Sequence, residues 1–114
     1  MVEYNPEHKA VLDELLLDHP DVRPGKMFGY PAYYVGKKLS ICVFEQGVGV
    51  KVPQPLAAQL LADDRNVVPF QPLGKPRMRE WIQINLERSE DFRNYMHVFT
   101  ASISYVRAQA DRSG

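Results

Sequence analysis

Several kinds of chemistry are missing from this chain. Cys42 is its one cysteine, so it has no internal disulfide, which fits a reducing compartment. His8, His19 and His97 fall in separate segments, and no His-x3-His or Cys-x2-Cys spacing offers a pair of metal ligands. No apolar run approaches the length a bilayer requires, so no membrane partner is expected. The opening stretch from Met1 to Pro6 lacks a basic segment followed by an apolar one. No signal peptide is therefore expected, and a cytoplasmic location is. Charge of one sign is not in excess either. The 14 Lys and Arg residues balance 14 Asp and Glu, which argues against a chain-wide pull on nucleic acid.

Catalytic patterns are equally thin. Cys42 lies inside an apolar stretch, where a free cysteine is an inert small hydrophobe. Gly47-Val48-Gly49 is too short and too strand-bound to cradle a phosphate. Asp63-Asp64 ends a helical pattern with no apolar pocket to raise a pKa. No catalytic set, metal site or cofactor is predicted, so the expectation is a protein that is not an enzyme.

What is present is enough for a core. Hydrophobic residues make up 45% of the 114, and a single domain over residues 1–114 is expected. Asn5 and Pro6 suit the start of a helix, and Val11, Leu12, Leu15 and Leu16 recur at helical spacing up to a stop near His19-Pro20. The segment from Asp21 to Gly25 reads as a loop. A strand is predicted from Lys26 to Val35, with Gly29 and Pro31 marking a bulge or a sheet edge. After a turn at Gly36-Lys37-Lys38, a second strand runs from Leu39 to Phe44 with Leu39, Ile41 and Val43 on one face. A third runs from Val48 to Val52, completing a meander.

Pro53 and Pro55 open a second helix carrying Leu56, Leu60 and Leu61, expected to fray near Asp63-Asp64. Short strands follow at Val67 to Phe70 and Arg77 to Leu86. Ser89 reads as a helix cap, and Phe92, Tyr95, Met96, Phe99, Ile103 and Val106 form the strongest apolar stripe in the chain. The predicted fold class is α+β, with a two-layer, antiparallel five-stranded sheet covered by helices in the order α-β-β-β-α-β-β-α.

Two clusters resemble a known family. One is Lys26-Met27-Phe28-Gly29 with Tyr33-Tyr34-Val35-Gly36-Lys37. The other is Pro76-Arg77-Met78-Arg79-Glu80-Trp81, preceded by Pro69-Phe70-Gln71-Pro72. From about Lys26 to Trp81 the chain resembles the TfoX N-terminal domain family in its short, stand-alone form. The resemblance implies a TfoX-N or secretion-chaperone-like α+β fold. It also implies a regulatory or protein-interaction role, the family being named for regulators of bacterial competence that carry a second helical domain. It supplies no catalytic residues. The chain departs from the pattern at Tyr30-Pro31, where members often have glycine or another small residue.

The candidate interaction surface comprises Lys26, Phe28, Arg77, Arg79, Glu80 and Trp81. Alternation along the last strand sets Met78, Glu80, Ile82 and Ile84 on one face and Arg77, Arg79, Trp81, Gln83 and Asn85 on the other. Glu80 then needs a partner, with Lys26 or Arg79 the expected ones. Trp81 beside arginines has the composition of an interaction hot spot, against the simpler reading that the loop from Gln71 to Pro76 covers it. A protein partner or a second copy of the chain is the first expectation. The alternative is nucleic acid held by Lys26, Lys37, Lys38, Lys51, Arg77 and Arg79, with Phe28, Tyr30, Tyr33 and Tyr34 as a stacking group beside the lysines, against the simpler reading of ordinary strand composition. A small molecule near Trp81 is a further alternative.

Overall fold

A computed structural model describes residues 3–74, 76 and 78–113. Helix α1 (Pro6–Leu16) precedes four consecutive strands, β1 (Val22–Met27), β2 (Tyr30–Val35), β3 (Lys38–Phe44) and β4 (Gly47–Lys51). Helix α2 (Gln54–Asp63), β5 (Val67–Pro69) and β6 (Trp81–Asn85) follow. A 3-10 segment, Ser89–Tyr95, then leads into α3 (Met96–Ser113). The strands form one antiparallel sheet in the order β1-β2-β3-β4-β6-β5. The α+β class is as expected, but the sheet has six strands, not five.

The extra strand comes from Val22 to Met27, where Pro24-Gly25 reads as a loop. An edge position reconciles proline with a strand. Phe28 and Gly29 both have positive φ, 49° and 88°, as a two-residue turn of the mirror-image type I requires. That turn splits the expected Lys26–Val35 strand into a hairpin and makes Met27 and Tyr30 its closing pair. Counting back from this pair, Val22, Pro24 and Lys26 point their backbone polar groups away from β2. Pro24 has no N–H to expose there. The Val22 N–H donates to the His19 carbonyl at 3.1 Å, and the Lys26 carbonyl accepts from the Tyr34 hydroxyl at 2.8 Å. The β1 edge is thus blunted by three separate devices, as edge strands must be. Pro31, expected to mark an edge, lies instead in β2, and the β2–β3 ladder begins one residue later at Ala32 and Cys42. The opposite edge, β5, is only three residues long and ends in Pro69.

A bulge corrects a second expectation. The β2–β3 register slips between Tyr33 and Tyr34, which pair with Ile41 and Leu39 and leave Ser40 over. Leu39 therefore joins the outer face while Ile41 and Val43 stay under the helices. Ser40 is turned inward, where its hydroxyl meets that of Ser102 on α3 at 2.7 Å.

All three helices cover one face of the sheet. Val11, Leu12, Leu16, Val35, Ile41, Val43, Val48, Val50, Ile82 and Ile84 meet Phe92, Val98, Phe99, Ile103 and Val106 in the main core. Asn5 caps α1 by accepting from the Glu7 N–H at 2.9 Å. Ser89 caps nothing. Its hydroxyl is used by the fully buried His8 at 2.5 Å. Asp64 does not fray either, since it accepts from the Tyr95 hydroxyl at 2.6 Å and from the Asn66 N–H at 2.9 Å. The last strand spans Trp81–Asn85 instead of the expected 77–86, because Arg79 and Glu80 lie in a turn closed by the Trp81 N–H on the Met78 carbonyl at 3.3 Å.

Phe28 holds a left-handed backbone conformation that a bulky side chain disfavours by about 1–2 kcal/mol, and asparagine tolerates it. Phe28→Asn should therefore raise unfolding stability by about 1 kcal/mol in chemical denaturation. A loss of stability would contradict the turn assignment.

Candidate functional site

The outer face of the sheet is built on two glycines. Along β4, Val48 and Val50 point to the helices, so positions 47 and 49 point outward. A Cβ at Gly49 would stand 2.9 Å from the Phe70 ring and 3.0 Å from the Cys42 sulfur. The missing side chain is what lets Phe70, just past β5, fold back onto the sheet. Phe70 then links a run of rings, with centroids 4.7 Å apart for Tyr30 and Phe44, 5.4 Å for Phe44 and Phe70, and 5.3 Å for Phe70 and Trp81. Ala32, Cys42, Met27, Tyr34, Leu39 and Met78 complete this second cluster.

Trp81 is therefore half-buried on Phe70 and is not surrounded by polar groups. Met78 also belongs to the outer cluster, against the alternation predicted for it, because the strand begins only at Trp81. Glu80 takes neither Lys26 nor Arg79 as its partner. The Tyr105 hydroxyl of α3 donates to its carboxylate, and burial and that carboxylate both raise the Tyr105 pKa, the hydrogen bond most of all. Arg79 is exposed. Arg77 lies outside the described residues.

The six expected surface residues do not form one patch. Trp81 pairs with Lys51 at the end of β4, which lies alongside the start of β3. Phe28 is 64% exposed at the β1–β2 turn, which the register places beside the end of β3, with Lys26 near it. The two groups sit at opposite ends of the sheet.

A different set converges at the Trp81 end. On the outer face Arg23 pairs across with Tyr34 and Lys51 with Trp81, whereas Lys38 pairs with the inward Val35, Lys37 shares a cleft with α3, and Arg79 shares one with α2. None of these cations makes a salt bridge among the described residues. The salt-bridged ones are Lys9, Arg93 and Arg107, held by Asp13, by Glu14 and Glu90, and by Asp21. Acids do approach this end from the helical side. Asp21 and Asp111 share a cleft with Arg23 and Lys37, and Asp21 is engaged by Arg107.

Between the cations lies Tyr34. A Cβ at Gly25 would stand 3.0 Å from its Cε2 and 3.1 Å from its Cδ2, so the ring rests directly on the β1 backbone. Its hydroxyl is tied to the Lys26 carbonyl. Tyr34 is one of the aromatic residues that the sequence sets between lysines, whereas Arg23 is not among the candidate residues there. A signal was there, since an isolated glycine in a strand marks close approach by another group.

Two reactive groups, His8 and Cys42, look inward. His8 is buried with its Nε2 at 3.2 Å from the Gln46 carbonyl, which can only accept. Nε2 therefore carries the proton and the Ser89 hydroxyl donates to Nδ1. Burial lowers the His8 pKa, so the ring is held neutral as a tie between α1, the β3–β4 turn and the 3-10 segment. Burial likewise pushes the Cys42 thiol up to about 12, which leaves it protonated and unreactive. Among the described residues no group of three His, Cys, Asp or Glu side chains is placed to hold a metal.

Phe70→Ala removes the ring that covers both Gly49 and Trp81. Emission from Trp81, the sole tryptophan, should be blue-shifted in the wild type and move to the red in this variant, with a stability loss of about 3–5 kcal/mol. Red, easily quenched emission from the folded wild type would contradict this packing.

Compared with known proteins, the chain matches no family model, no curated protein and no solved structure.

Proposed function

We propose that this chain is a non-enzymatic binding module whose working surface is the basic end of the outer sheet face, and whose partner is anionic. One observation carries the reading. Arg23 and Lys51 stand on that end of the outer face, flanking Tyr34, without salt bridges among the described residues, while Lys9, Arg93 and Arg107 on the helical side are each held by a carboxylate. Charges left unpaired on one surface raise the local potential even when the chain sums to zero.

The inert thiol and the neutral, enclosed imidazole favour binding over catalysis as the role. The two blunted edges disfavour a dimer made by strand addition, which turns the reading from a second copy toward an anionic partner. A regulatory module of the TfoX N-terminal kind, working in the cytoplasm, is consistent with this. Lys26-Met27-Phe28-Gly29 spans the β1–β2 turn, and Met78-Arg79-Glu80-Trp81 spans the entry to β6. Both resembling clusters thus fall on turns that set the sheet's shape. No helix is long and apolar enough to cross a membrane among the described residues.

Immobilised heparin tests the reading as a generic polyanion. The wild type should be retained at low salt and released as salt rises, because such binding depends on counterion release. The double variant Arg23→Glu/Lys51→Glu should elute markedly earlier. Passage of the folded wild type straight through at low salt would contradict the proposal.

A further inference from the structure

We infer that the anionic partner is single-stranded nucleic acid, with one base stacked on Tyr34. This rests on the binding-module reading above and goes beyond it by naming the ligand.

A purely acidic protein segment would need cations alone. The basic end offers something more. The Tyr34 ring lies against the backbone at Gly25, where a Cβ would come within 3.0 Å, and its hydroxyl is fixed by the Lys26 carbonyl at 2.8 Å. A ring braced along its Cδ2–Cε2 side at Gly25 and held at its tip by a hydrogen bond is preorganised, so a base that stacks on it orders little else. The ring belongs to the outer face, away from the helices. Its cross-strand neighbour is Arg23, and across β3 stands Lys51, itself paired with Trp81.

Strands lie about 4.8 Å apart, so β1 to β4 spans about 14 Å. That distance suits a short tract of strand whose phosphates meet Arg23 and then Lys51, on either side of Tyr34. Aromatic platforms bounded by cations bind single strands in this way, with little dependence on sequence. A duplex fits less well. Its bases are already stacked on one another and are not free to stack on Tyr34 unless they are flipped out at the cost of unstacking.

Fluorescence anisotropy of labelled oligothymidylate tests the inference beside two competitors, a blunt DNA duplex of equal length and polyglutamate. Oligothymidylate should bind most tightly, with affinity falling steeply as salt rises. Tyr34→Leu should weaken it about 10-fold, and Tyr34→Phe, which keeps the ring, should weaken it far less. A second readout needs no variant. At saturation, nuclear Overhauser contacts should join thymine protons to the Tyr34 ring. Equal binding of polyglutamate or duplex, with no effect of Tyr34→Leu and no such contacts, would overturn the nucleic-acid inference and leave the anion-binding module standing. Failure of all three polyanions to bind would remove both.

Discussion

Phe70 can lie on the sheet only because residue 49 has no side chain, a Cβ there falling 2.9 Å from its ring. Much of the outer face depends on this close approach. β4 is central in the sheet, and its helical side is filled by Val48 and Val50. Its other side would be open backbone if nothing came down upon it. Phe70 closes that side, carries the chain from β5 toward β6, and supplies the wall on which Trp81 rests. A sheet that would have been two-layered thus gains a small second core of Tyr30, Ala32, Cys42, Phe44 and Phe70. The inertness of Cys42 follows from the same packing, since a thiol sealed beneath an aromatic ring loses access to water and to partners.

Closing the middle of the outer face leaves its Lys51 end for other work. There the aromatic side chains are only partly covered and the cations have no carboxylate partners among the described residues. The acids that do make salt bridges among the described residues lie on the helical side. Asp13 holds Lys9 and accepts from Tyr33, Glu14 and Glu90 share Arg93, and Asp21 takes Arg107. A net charge of zero thus coexists with a local segregation of charge, Arg23 and Lys51 standing beside Tyr34 and Trp81 without salt bridges among the described residues. In the proposed account, this segregation gives the protein its affinity for polyanions, and the fixed ring of Tyr34 gives it a preference among them.

Some of this could be read in the residues themselves. The apolar stripe from Phe92 to Val106 sits under the sheet as its spacing implies, and the Pro-rich start of α2 and the Gly36 turn lie where expected. The misreadings share a cause. Pro24-Gly25 looks like a loop because local propensity cannot show that a strand is at an edge, where a missing N–H is an advantage. Leu39 was placed with Ile41 because a bulge at Ser40 is invisible until β2 is laid beside β3. Trp81 and Arg79 were grouped with Lys26 and Phe28 on sequence likeness, whereas strand register puts them at opposite ends. The platform at Tyr34 depends on Gly25, nine residues away in sequence and adjacent only once the hairpin forms.

Backbone amide shifts of isotopically labelled protein, followed by NMR as oligothymidylate is added, test the central claim most directly. The account predicts that the largest changes fall on Arg23, Gly25, Tyr34, Leu39, Lys51 and Trp81, with α1 and α3 nearly silent. Changes centred on the helical face, or spread without focus over the surface, would contradict it.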